Sequence, residues 1–138
     1  MKKDNCVFCK IVSGEFPSSK IYENNEVLVF LDIVPVNLGH ALVIPKAHFN
    51  NIYETPEDIL ANMITVAKII SKAVKTQRKA DGINLVMNND STAGQVIFHS
   101  HMHIIPRFKD DGFGPWEGRI KYTAEQMAET AKKIIEAL

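Results

Sequence analysis

Residues 99–107 read HSHMHIIPR, so three of the chain's five histidines stand at alternate positions. In an extended strand successive side chains point to opposite faces, which puts His99, His101 and His103 on one side and Ser100, Met102 and Ile104 on the other. A core-facing strand would carry aliphatics there, because a buried imidazole without a hydrogen-bond partner costs about 1 to 3 kcal/mol. The alternation therefore points to chemistry, of one of two kinds. Neutral imidazole is a zinc ligand, and three of them with an open fourth position make a hydrolytic metal centre. An imidazole unprotonated near neutral pH is also a nucleophile, able to attack phosphorus and form a covalent intermediate. Strand neighbours two apart can share one ion, but three in a row stretch over roughly 13 Å and cannot all ligate it without a bend.

The chain's two cysteines, Cys6 and Cys9, sit three apart. Such a pair is a poor disulfide framework, and in a reducing compartment it reads as a metal pair or a redox pair. Thiolates favour zinc, and a closed site needs two more ligands, for which His40, His48, His99 and the carboxylates are the candidates.

The elements that must position these residues follow from periodicity. KIYENNEVLVFLD is two short apolar runs joined by the turn-prone pair Asn24 and Asn25, and HALVIPK is a third strand ending near Pro45. The period then changes. TPEDILANMITVAKIISKAVKTQRKA has Thr55 as N-cap, Pro56 at the first helical position and acids in the first turn, with Ile59, Leu60, Met63, Ile64, Ala67, Ile70 and Val74 on one face. Gly82 breaks the chain before a fourth strand, INLVMN, and the loop NDSTAGQ leads to a fifth over about residues 96–105. A last helix opens with the capping box Thr123 and Gln126 and gathers Met127, Ala131, Ile134, Ile135 and Leu138 on one face. With one long crossover helix among five strands, the expected fold is α+β: a five-stranded, mainly antiparallel sheet with a long central helix and a C-terminal helix, residues 1–138 forming a single domain.

Sixteen basic and sixteen acidic side chains cancel, which gives no electrostatic footprint for nucleic acid or an anionic membrane. Asp4, Asn5, Lys10 and Glu15 interrupt the N-terminal apolar residues, so the segment reads as neither a signal peptide nor a span, and a cytoplasmic location is expected.

The motif HSHMHII resembles the His-x-His-x-His-apolar-apolar signature of the histidine-triad family of nucleotide hydrolases and transferases. The likeness extends through CVFCKIVSGEFPSSKIYENNEVLVFLDIVPVNLGHALVIPKAHF and NNDSTAGQVIFHSHMHIIPR, and is nearest to the branch that hydrolyses purine nucleoside phosphoramidates. The resemblance implies that His101 attacks the α-phosphorus of a purine nucleotide substrate, forming a nucleotidyl-histidine that water hydrolyses. It implies that His103 bonds a nonbridging phosphate oxygen or helps orient the nucleophile, and that Gln95 lies near the leaving group. Asp32 would accept the ribose hydroxyls, Phe8, Phe30 and Ile33 would wall the purine pocket, and Asn88 and the Gly94 loop would approach the phosphate. Val96 departs from the pattern, since a hydroxyl side chain that bonds phosphate often stands there. Many bacterial members carry a structural zinc on the residues that correspond to Cys6, Cys9, His48 and His99, which would leave His101 free as nucleophile. His40 is left for packing or a turn hydrogen bond, while Trp116 either reaches a partner protomer's site or caps the local core. A homodimer follows from the resemblance alone. The alternatives are a dinucleoside polyphosphate hydrolase of the same family, and a metal-dependent hydrolase using a histidine-bound zinc.

Overall fold

Asn24 closes the first hairpin with its own side chain: its Oδ1 accepts from the Glu26 and Val27 N–H groups at 3.0 and 2.8 Å. In the computed structural model, which describes residues 3–114, 116 and 118–138, that turn joins β1 (Lys20–Glu23) to β2 (Val27–Leu31). Then follow β3 (Ala41–Pro45), the long helix Glu57–Arg78, β4 (Gly82–Val86) and β5 (Met102–Arg107), in the sheet order β1-β2-β3-β5-β4. Every pairing is antiparallel, and the fold is the expected α+β one.

Period-two alternation divides the sheet into two faces. Val27, Val29, Ala41, Val43 and Ile104 pack on Met63, Val66, Ala67, Ile70 and Val74 of the long helix. Leu28, Phe30, Leu42 and Ile44 face the other way and meet Phe8 and Cys9. His103 is paired with Leu42 across β3 and β5, and cross-strand partners share a face, so the histidines belong to the side that the long helix leaves uncovered.

Two expectations need correction, and two features were not foreseen. The N-terminal segment contains a short helix, α1 (Val7–Val12), with Cys6 at its N-cap accepting the Cys9 N–H at 3.4 Å; six residues are too few for a helical period to show in the sequence. The long helix, α2, has Pro56 as its N-cap residue, and the Thr55 hydroxyl instead bonds the Asn51 carbonyl at 2.7 Å and the Ser100 hydroxyl at 2.9 Å. Strand β5 begins at Met102, not near residue 96, because Ser100 donates its N–H to the Phe49 carbonyl rather than to a strand partner. The C-terminal helix α3 (Ala124–Glu136) has its capping box, but its apolar face is not buried: Met127, Ile134 and Ile135 remain exposed. Trp116 is 87% exposed, so it does not cap the local core.

Candidate active site and metal centre

His101 is buried, and its Nδ1–H donates to the His99 backbone carbonyl at 2.7 Å. That bond fixes the tautomer and leaves Nε2 as an unprotonated lone pair. Burial pushes the imidazole below its ordinary pKa, against the opposing pull of the His99 carbonyl and the Asp32 charge, so the neutral form prevails near pH 7. Phe8 meets the ring edge-on, with centroids 5.3 Å apart.

His103 takes the opposite tautomer through a chain of bonds that begins at His40. The Val36 N–H donates to His40 Nδ1 at 3.0 Å, so the His40 proton lies on Nε2, which donates to His103 Nδ1 at 2.9 Å. His103 therefore carries its own proton on Nε2, as a donor. Burial first, then the neighbouring His101 and His40, push His103 down to about 4. His40 makes the turn bond expected of it, but its hold on His103 is a role that the sequence did not reveal. Its only signal was a position two residues before Leu42, the strand partner of His103. Asp32 accepts the Val34 N–H on Oδ1 at 2.8 Å and presents Oδ2 3.6 Å from His40 Nε2.

His101, His103 and Asp32 open onto a cavity of about 620 Å³. Phe8, Phe30, Asp32, Ile33, Asn88, Gly94, Val96, His101 and His103 all line it. Phe8 and Phe30 are also core, edge-to-face at 5.5 Å, so the two readings open for such aromatics are met by the same rings. Gln95 is not among the lining residues. Its side-chain amide donates to the Asn50 and Ile97 carbonyls at 2.6 and 3.1 Å and accepts the Asp90 N–H at 2.9 Å, so it pins the loop rather than reaching a leaving group. Gly94 adopts φ +93°, a left-handed conformation that strains any residue with a Cβ. The N–H groups of Gly94 and Gln95 bond the Ser91 and Asp90 carbonyls, so these two donors are committed within the loop.

Beside the cavity, Cys6, Cys9, His48 and His99 bring four possible ligand atoms within 4.8 Å of one another. His99 donates Nε2–H to the Pro45 carbonyl at 2.8 Å, and His48 donates Nε2–H to Asn50 Oδ1 at 3.2 Å. Both Nδ1 atoms are therefore lone pairs, yet they face each other at 3.2 Å with no hydrogen between them. Cys6 Sγ lies 3.3 Å from His99 Nδ1, and Cys9 Sγ lies 3.4 and 3.6 Å from the His48 and His99 Nδ1 atoms. Tetrahedral zinc with ordinary bond lengths spaces nitrogens about 3.4 Å apart and nitrogen from sulfur about 3.5 Å apart, so the donor set fits that ion. Asp32, His40 and His103 also cluster, but there a proton already joins the two rings.

The sequence profile of the HIT domain matches residues 13–110. The chain belongs to the HIT domain family. Members of this family are nucleotide hydrolases and transferases. The chain is 46% identical over 109 residues to adenylylsulfatase HINT3 of Arabidopsis thaliana, an alignment that covers 79% of this chain and 55% of that protein. Among solved structures, SMU.412c of Streptococcus mutans matches with a TM-score of 0.93 at 40% identity, covering 99% of this chain and 87% of that one. A zinc-bound histidine triad family protein from Mycobacterium smegmatis matches with a TM-score of 0.76 at 36% identity, covering 97% and 98%. The chain has a donor set of its own, with Cys6, Cys9 and His99 buried and His48 half-buried, and such a set could bind a metal.

Two predictions follow from this geometry. Replacing Asn50 with Ala frees the His48 ring and should weaken zinc binding about 10- to 100-fold, as loss of a ligand's supporting hydrogen bond does, measured by chelator competition. Equal affinity in the variant would show that Asn50 does not orient the ligand. The second concerns pH. His103 is held at about 4 in the fold against an ordinary 6.5, so the unfolded chain binds the proton more readily. The stability contributed by its neutral form is intact above 6.5 and is lost as the pH falls towards about 4. The urea midpoint of the zinc-loaded protein should drop across that window, and less so in a His103→Asn variant; the same slope in both would overturn the assignment.

Proposed function

We propose that this chain hydrolyses purine nucleoside 5′-phosphoramidates and related nucleotide derivatives at the α-phosphorus, through a covalent intermediate on His101. The observation that carries this reading is the tautomer of His101, whose Nδ1–H is held by the His99 carbonyl at 2.7 Å while the ring lines the cavity. A neutral imidazole so oriented offers Nε2 as a nucleophile without first losing a proton. In the first step the Nε2 lone pair bonds phosphorus as the P–N bond breaks, and the departing amine keeps that electron pair and gains a proton. In the second, a water oxygen bonds phosphorus while the histidine–phosphorus bond breaks and its electrons return to Nε2. Summed over both steps one water is consumed, its hydrogen on the amine and its hydroxyl on the phosphate.

The remaining residues bind and orient. His103 Nε2–H donates to a nonbridging oxygen, the Asp32 carboxylate accepts the ribose hydroxyls, and Phe8, Phe30 and Ile33 hold the base, with Asn88 beside the phosphate. Zinc on Cys6, Cys9, His48 and His99 serves as a staple between α1, the residue 46–51 loop and the histidine segment. A relative named as an adenylylsulfatase supports attack at an adenylyl phosphorus.

By resemblance the chain works in the cytoplasm as a homodimer, and the uncovered apolar residues of α3 suit a surface shared with a second copy. Sedimentation equilibrium should return the mass of two chains; a monomer at micromolar concentration would count against this.

The nucleophile is tested with adenosine 5′-phosphoramidate, following AMP release by the zinc-loaded protein and its His101→Ala variant. The expected loss is about 10³-fold or more, as for removal of a covalent nucleophile, with zinc content unchanged. A variant that keeps its activity and loses it only on chelation would instead favour a metal-bound hydroxide.

A further inference from the structure

We propose that Ser100 and Thr55 are positioning residues for His101: their hydroxyls, bonded in series to the Asn51 carbonyl, hold the His99–Ser100 peptide in the orientation that keeps the His101 proton on Nδ1. The catalytic consequence rests on the reading of His101 as nucleophile, whereas the tautomer is measured without it.

Ser100 stands between His99 and His101 and is 1% exposed; Thr55, just before the Pro56 N-cap of α2, is 5% exposed. Hydroxyls buried to that degree are costly unless they are bonded. The two can satisfy one another in only one order. The Thr55 hydroxyl has a single proton, and the Asn51 carbonyl, 2.7 Å away, can only accept it. The Ser100 hydroxyl, 2.9 Å from Thr55 Oγ1, is then the donor to Thr55. Bonds in series polarise one another, which strengthens both. The Asn51 carbonyl also accepts the Thr55 N–H at 3.2 Å, and α2 begins two residues later and packs on the sheet. The far end of the relay is thus anchored at the helix that covers the opposite face of the sheet.

The peptide between His99 and Ser100 is a rigid plane whose C=O and N–H point in opposite directions. Its carbonyl accepts the His101 Nδ1–H at 2.7 Å, and its N–H donates to the Phe49 carbonyl at 2.7 Å. Held through the N–H alone, residue 100 could turn about that bond. The side-chain bond to Thr55, made from a different atom of the same residue, removes this freedom. If the plane turns, the carbonyl leaves His101 and nothing selects Nδ1 over Nε2 as the seat of the proton. A proton on Nε2 would occupy the lone pair that must attack phosphorus. Neither Ser100 nor Thr55 lines the nucleotide cavity, so their effect passes through His101 and not through contact with substrate.

The test records the His101 ring nitrogens by long-range proton–nitrogen NMR of the zinc-loaded protein, together with kcat and KM for adenosine 5′-phosphoramidate. It compares the wild type with Ser100→Ala, Thr55→Val, Thr55→Ser and His101→Ala. The wild type should show one tautomer, with the proton on Nδ1. Ser100→Ala and Thr55→Val should add the Nε2–H form and lower kcat by about 10- to 100-fold, up to the loss that a misplacement of about 1 Å causes, with KM unchanged. Thr55→Ser keeps the hydroxyl and should restore both the spectrum and the rate. Ser100→Ala leaves Thr55 its bond to Asn51 and no buried donor unpaired, so it decides the matter if Thr55→Val does not fold. An unchanged tautomer in Ser100→Ala, whether or not its melting temperature falls, would mean that the pair only packs; it overturns the proposal and leaves the His101 reading standing. If the spectra shift as expected but no turnover depends on His101, the proposed function fails and the positioning of the ring stands.

Discussion

His99 joins the Cys6, Cys9 and His48 cluster to His101 through a single residue. Its Nε2–H is held by Pro45 at 2.8 Å, its Nδ1 points at His48 Nδ1, and its carbonyl accepts the His101 Nδ1–H at 2.7 Å. The first bond sets the ring so that a lone pair enters the cluster, and the third sets the tautomer that leaves His101 Nε2 as a lone pair. Whatever holds His99 in place thus also aims His101. A metal held by these four residues would tie together the start of α1, the residue 46–51 loop and residue 99, three segments that the sheet alone does not pair.

The two faces of the sheet divide the work. Burial of Val27, Val29, Ala41, Val43 and Ile104 under α2 supplies a continuous apolar core of the kind that stabilises a fold. The opposite face is smaller, shared between Leu28, Phe30, Leu42 and Ile44 and the rings of Phe8, His99 and His101. A site built there rests on strands whose opposite face packs on α2. The three imidazoles His101, His103 and His40 form a relay of fixed tautomers, each decided by one hydrogen bond: His99 carbonyl to His101, His40 to His103, and Val36 to His40. Desolvation keeps them neutral, so one presents a lone pair and its neighbour an N–H to the same cavity.

Much of this was legible in the residues themselves. Alternation of His99, His101 and His103, the Cys6 and Cys9 spacing, the Asn24 turn and the period of α2 are local patterns, and each is governed by neighbours in sequence. The five-stranded, mainly antiparallel α+β class followed from them. What the patterns could not reveal is where β5 starts, since a strand exists only where a partner lies alongside, and His99 and Ser100 bond Pro45 and Phe49 instead. The short helix α1 was hidden for a related reason: it is fixed by the Cys6 cap and the burial of Phe8 and Cys9, not by a helical period.

The sequence by itself determined which groups are available: the imidazoles, the thiols, the carboxylate at Asp32 and the apolar walls, all set by residue type and spacing. Only the tertiary structure decided what each group does. Gln95 became a loop clamp because Asn50 and Asp90 lie within reach of its amide, and His40 became the partner of His103 because β3 and β5 lie side by side. The physical reason is that a side chain's charge, tautomer and accessibility depend on groups brought near it from distant parts of the chain. His99 and His101 are two residues apart and chemically identical, yet one points a lone pair at two thiols and the other at a cavity.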